Sequence, residues 1–167
     1  MRHHFTLLVL ALAAVGPAHK ATAQVTRVGA HYGVNLSNGG WEDPRLGLQG
    51  IDHLVGPIEV SGTFSYFTAW PGGAWQVYSA LRVRGPGHWA FASAGYGPVF
   101  THTSLRDQAT GQGGAANSFA DSAVLGFEAP TWHVRPFVDL YLSHLLDRGA
   151  GVNANLLMGF HLLILSR

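Results

Sequence analysis

The sequence predicts an all-β protein: an eight-stranded antiparallel up-and-down transmembrane β-barrel. Three observations predict it. Apolar and polar residues alternate with a period of two along most of the chain, the signature of strands with one apolar face. Turn residues divide this region into eight stretches, joined alternately by short and by longer connections. Charged residues are only 11% of the 167 residues, against 47% apolar, whereas a soluble domain carries about 25% charged residues. Eight antiparallel strands that close on themselves leave no free edge.

The first element is not a strand. Arg2, His3 and His4 precede an apolar run from Phe5 to Val15, and Ala21-Thr22-Ala23 follows as a small-x-small pattern. Those three regions predict a secretory signal peptide over 1–23. The run is too short to cross a bilayer as a helix, which needs about 20 apolar residues. The barrel domain then occupies 24–167. Removal of 1–23 takes away Arg2 and Lys20, leaving eight arginines, no lysine and nine acids.

The strands are expected at 25–36, 46–55, 58–69, 75–84, 89–103, 118–129, 134–144 and 152–165. In the first, Val28, Ala30, Tyr32 and Val34 alternate with Arg27, Gly29, His31 and Gly33. In the third, Ile58, Val60, Phe64 and Tyr66 alternate with Glu59, Ser61, Thr63 and Ser65. In the fourth, Trp75, Val77, Leu81 and Val83 alternate with Gln76, Tyr78, Arg82 and Arg84. The sixth alternates around Ala123, Leu125 and Phe127, and the seventh around Val138, Leu140 and Leu142. The fifth, with Ala90, Ala92, Ala94 and Gly95, alternates weakly. The eighth is apolar on both faces around Leu156, Leu157, Leu162 and Leu163. A helical hairpin is the alternative for the last two, and Pro136 and Gly159 argue against it. The longest connection, 104–117, carries Gly111, Gly113 and Gly114 and is expected to be a flexible loop.

Charge decides which face points out. A soluble barrel is apolar inside and charged outside, and a membrane barrel is the reverse. Arg27, Glu59, Arg82, Arg84 and Glu128 all fall on the polar face, among Gly, Ser and Thr, too sparsely for a solvated exterior. Phe64, Val77, Leu81 and Leu140 are therefore expected to meet lipid. Phe67, Trp70 and Trp75 flank the second long connection and Trp41 lies in the first. Trp89 and Trp132 lie at short turns, so aromatic girdles are expected at both interfaces. Strands of about ten residues suit a tilted span.

Hairpin arithmetic predicts two ion pairs inside the lumen. Reversal between Pro71 and Gly72 sets Glu59 opposite Arg84 and Ser61 opposite Arg82. Reversal at Thr131 and Trp132 sets Glu128 opposite Arg135. Both pairs fall beside the short turns. A guanidinium holds a carboxylate bidentately, and an unpaired charge in a narrow lumen is costly. The candidate site residues are thus Glu59, Arg84, Glu128 and Arg135. Eight strands leave an interior just filled by side chains, which excludes a wide pore.

The signal segment, the eight strands, the alternating connections and Gly-rich segments such as Gly95-Tyr96-Gly97 resemble the small outer-membrane β-barrel proteins, similar to the membrane domain of outer membrane protein A. The resemblance covers 25–165. Such chains end on an aromatic residue, whereas here Phe160 is the last aromatic. The resemblance implies a didermal bacterium, contact with outer-membrane lipid, and handling by periplasmic chaperones and the barrel assembly machinery. It also implies a monomer without cofactor or peptidoglycan-binding domain, in a structural or surface-interaction role.

Two other functions are weighed. Outer-membrane lipid A deacylases are similar barrels that use a His-x-Ser with a carboxylate. Here His102-Thr103-Ser104 supplies the pair, with Asp107 or Asp121 as the acid that would orient the base. A soluble periplasmic carrier of lipocalin-like build would instead hold its apolar face inside. The remaining histidines are scattered, so no metal site is expected. Absence of Cys excludes a disulfide scaffold and a lipoprotein anchor. The lack of a basic patch excludes nucleic acid as partner. Gly39-Gly40 and Gly72-Gly73 read as turns.

Overall fold

The computed structural model describes residues 24–37, 42–68, 73–87, 90–106, 113–131, 133–147 and 151–166. Eight strands follow in chain order: β1 (Gln24–Asn35), β2 (Glu42–Val55), β3 (Ile58–Phe67), β4 (Ala74–Arg84), β5 (Phe91–Arg106), β6 (Gly113–Glu128), β7 (Val134–Ser143) and β8 (Asn153–Ser166). Each pairs with the next, and β1 pairs antiparallel with β8 from Gln24↔Ser166 to Asn35↔Asn155, which closes the barrel. The last two stretches are strands and not a helical hairpin. The signal segment 1–23 lies outside the described residues, as do Trp41, Trp70, Trp89, Trp132 and Asp107.

Local chemistry sets the turns. Val55 and Ile58 pair across Gly56-Pro57, and Gly56 has φ 55°, a conformation that a Cβ disfavours. Gly73, at φ 85°, turns the chain immediately before β4. Thr68 is drawn toward β2, its N–H and hydroxyl both donating to the Pro44 carbonyl at 2.9 Å. Phe67 therefore pairs with Ala74, and the β3–β4 register lies two residues from the expected one. Glu59 faces Arg82 rather than Arg84, and Ser61 faces Ala80. The β6–β7 register is displaced likewise, with Glu128 opposite Phe137 rather than Arg135. Pro136, which has no N–H, joins that ladder at its end, its carbonyl accepting from Ala129 N at 2.9 Å.

Within the expected loop 104–117, the described residues 104–106 and 113–117 are strand. Ser104↔Ala115, Leu105↔Gly114 and Arg106↔Gly113 continue the β5–β6 ladder. Backbone hydrogen bonds carry this hairpin through Gly113, Gly114, Ala115 and Ala116, whose low β-propensity hides it in the sequence.

Strand parity separates two surfaces. Leu81 is 57% exposed and its neighbour Arg82 is 2% exposed. Leu48, Phe64, Tyr96, Phe127 and Phe160 are exposed on the outside, while Arg27, Arg45, Glu59, Glu128 and Asp139 are buried inside. Val77 and Leu140 also lie on the outer face, half-buried among their neighbours. Phe67, expected in a girdle, points inward instead, with the Arg45 guanidinium 4.2 Å from its ring centre. Trp75 takes the outer position beside Phe64 and Phe100. A carrier with an apolar lumen does not fit, because charged and polar side chains fill this lumen on both sides of a single apolar layer.

Candidate functional site

The short-turn end of the lumen holds a charged cluster that parity and strand position assemble. Arg27 enters near the start of β1 and His161 near the end of β8. Glu59, Arg84, Glu128 and Arg135 flank the short turns. Arg27 Nη1 donates to both oxygens of Glu128 at 3.0 Å each, and its Nη2 lies 2.5 Å from Glu59 Oε1. Arg84 reaches both acids, Glu59 Oε1 at 3.4 Å and Glu128 Oε1 at 3.1 Å. Arg135 Nη1 lies 3.1 Å from Glu128 Oε1. The four residues proposed from hairpin arithmetic thus stand in one cluster, with Arg27 at its centre. Strand-neighbour arithmetic missed Arg27 because Arg27 and Glu128 are 101 residues apart and meet across the lumen. The available signal was that all these residues are inward by parity and close to a short-turn end.

The cluster continues inward. His161 Nδ1 lies 2.8 Å from Glu128 Oε2 and its Nε2 lies 2.6 Å from Gln49 Oε1. A neutral imidazole can donate to only one of two such acceptors. Phe137 stacks on this ring at 4.0 Å between centroids. Gln49 Nε2, with two protons to give, lies 2.8 Å from Asp139 Oδ2, 3.0 Å from Thr63 Oγ1 and 3.1 Å from the Tyr141 hydroxyl. Arg82 holds Asp139 bidentately, with both bonds at 2.9 Å, and donates to Ser93 Oγ at 2.7 Å. A Cβ at Gly126 would collide with the Arg82, Asp139 and Ser93 side chains, so this glycine leaves the room the pair occupies.

A second polar group lies beyond an apolar layer. Arg45 Nη1 donates to Gln76 Oε1 at 2.8 Å, and the Tyr78 hydroxyl donates to the same oxygen at 2.7 Å. Asn155 donates to Tyr78 at 3.1 Å. The Tyr78 and Tyr141 rings pack at 4.4 Å between the two networks, among Ala80, Val99, Val124 and Leu157. The enclosed space within the charged cluster is about 10 Å³, near the minimum for one water. An ion moving along the lumen would have to break the cluster.

The outer wall carries the His-x-Ser segment. His102 and Ser104 share the outward face of β5. His102 stacks on Trp75 at 5.3 Å, and its Nδ1 lies 2.7 Å from Asn117 Oδ1. The Asp121 carboxylate accepts from the Tyr96 hydroxyl and the Leu146 N–H, each at 3.1 Å. Among the described residues, the candidate base therefore rests on an amide and the candidate acid is engaged elsewhere. No cluster of three potential metal ligands forms among the described residues.

A closed eight-stranded antiparallel barrel with charges inside and apolar side chains outside has solved counterparts. The fold is that of the small outer-membrane β-barrels. The N-terminal β-barrel domain of Pseudomonas aeruginosa OprF superposes with a TM-score of 0.64 at 11% identity, over 82% of this chain and 96% of that one. Neisserial surface protein A gives 0.61 at 9% identity, over 86% and 99%. Ail, the attachment invasion locus protein of Yersinia pestis, gives 0.56 at 12% identity, over 86% and 100%. No family model and no curated protein matches the sequence.

Proposed function

We propose that the protein is an integral β-barrel of a bacterial outer membrane, of structural or surface-interaction type, without catalysis or a wide pore. One observation carries the reading: the exposed wall is apolar and the buried lumen is charged, an order that is stable in lipid and not in water. The even strand number leaves both termini on one side, that of the short turns; in this reading that side is periplasmic and the longer connections lie outside. The chain is exported with a cleaved signal peptide, chaperoned in the periplasm, inserted by the barrel assembly machinery, and monomeric in outer-membrane lipid. Two of the similar barrels are named for the cell surface and for attachment and invasion, which favours a surface role.

The test is extraction and labelling. The protein should require detergent and migrate faster unheated than boiled. Cys at Gly113 should react with an impermeant reagent on intact cells, and Cys at Gly87 should not. Solubility without detergent overturns the membrane reading, and equal labelling overturns the orientation. Loss of an acyl chain from lipid A on expression, abolished by Ser104→Ala, would establish the deacylase alternative and end the non-catalytic one.

A further inference from the structure

The short-turn mouth of the barrel is a solvent-open vestibule of about 600 Å³. Its described lining includes the charged Arg84, Arg135 and Glu59 and the apolar Phe91, Pro86 and Leu163. We infer that this vestibule binds a small organic oxyanion, a carboxylate or phosphate carried on an apolar body.

The first ground is an excess of donors over acceptors. Three arginines share two carboxylates in this cluster. Glu128 Oε1 alone faces Arg27 at 3.0 Å and Arg84 and Arg135 at 3.1 Å. That oxygen has no capacity left, and Glu59 Oε1 already faces Arg27 and Arg84. The three guanidiniums and two carboxylates leave one positive charge, before any proton on His161. Arg27 is 3% exposed, whereas Arg84 and Arg135 are 19% and 17% exposed, so the spare N–H groups at the mouth belong to the outer two. The Arg135 Nε is buried and without a hydrogen-bond partner, as is the Arg27 Nε, so the cluster holds more N–H groups than its carboxylates take up.

The second ground is the way these side chains are held. The Arg84 guanidinium lies 3.7 Å and that of Arg135 5.6 Å from the centre of the Phe91 ring. A guanidinium packed over an aromatic face has its in-plane N–H groups directed away from the ring; here some of them meet Glu59 and Glu128, and a ligand would take the others. Planar forks of this kind match carboxylate and phosphate oxygens. The apolar wall beside them would cover a ring or short chain on the same ligand. The inference concerns the mouth alone and holds whichever membrane the barrel occupies.

The test is a titration of the protein folded in octyl glucoside, an uncharged detergent, at fixed pH and ionic strength, followed through the Arg Nε–H resonances. Phenyl phosphate should shift those of Arg84 and Arg135 to saturation and leave that of Arg45, beyond the apolar layer, in place. Phenyl phosphate should bind about tenfold more tightly than inorganic phosphate, through the apolar wall. Arg135→Gln should weaken binding about tenfold. Phe91→Leu, which keeps the wall but loses the stacking face, should weaken it severalfold, and covers the case in which the arginine variant does not fold. Shifts that sodium chloride reproduces, shifts equal at Arg45, or no saturation overturn the site. An effect from lysophosphatidylglycerol in the micelle without one from phenyl phosphate makes it a lipid-headgroup contact and overturns the small-molecule assignment.

Discussion

Arg27 lies between two carboxylates, and both it and Glu59 are 3% exposed. Its removal would leave Glu59 and Glu128 buried near each other with less countercharge. Loss of one partner from a buried pair costs about 3–5 kcal/mol. Arg84 is 19% exposed and meets Glu59 at the longer distance of 3.4 Å, a geometry closer to surface pairs worth about 0.2–1 kcal/mol. Arg27→Gln should therefore lower the urea midpoint in detergent far more than Arg84→Gln. In double-mutant cycles Glu59 should couple strongly to Arg27 and weakly to Arg84. Equal couplings would show that the pair distances do not rank the interactions. The residue scale is also where the sequence was least legible. Glu59, Arg84, Glu128 and Arg135 could be placed inward and near short turns by counting. The positions of Arg27, His161 and Asp139 in the network depend on contacts across a closed barrel, and no local pattern encodes those.

At the scale of elements, alternation located β1, β3 and β4 because large apolar and small polar side chains change places at every residue. It failed at the start of β6, where Gly113 to Ala116 supply no contrast. It also could not fix register. A one-residue slip turns every side chain to the other face, but a two-residue slip preserves all faces, and both the β3–β4 and β6–β7 expectations erred by two. The absence of Cys permits a direct check. Arg84 N bonds the Pro57 carbonyl at 2.8 Å, so the pair Val60↔Leu81, three steps along the same ladder, is a non-hydrogen-bonded one. Such pairs bring Cα atoms to about 4.5 Å, within disulfide range. Val60→Cys with Leu81→Cys should oxidise readily in the folded protein. Val60→Cys with Val83→Cys, the neighbours of the alternative register, should not. The reverse result would restore the register that turn residues alone suggest.

For the whole molecule, the same inversion of faces that builds the charged lumen makes lipid part of the fold. The outer wall exposes Leu48, Phe64, Leu81, Leu125, Phe127 and Phe160, and no described residue covers them. In water this surface would drive association; in hydrocarbon it is matched, and the strand backbones stay paired because the barrel has no edge. The decisive position is Leu81, exposed in β4 between the inward Ala80 and Arg82. An arginine on the lipid face near the bilayer midplane costs about 2–4 kcal/mol. In a barrel whose exterior met water the same substitution would be nearly neutral. Leu146 is a matched control, 76% exposed and lying between β7 and β8. Leu81→Arg should lower folding stability in a lipid-vesicle urea titration by roughly that amount, and Leu146→Arg should change it little. Equal stability of Leu81→Arg and the parent would mean that Leu81 does not face hydrocarbon. The charged lumen would then have to be explained without a membrane around it.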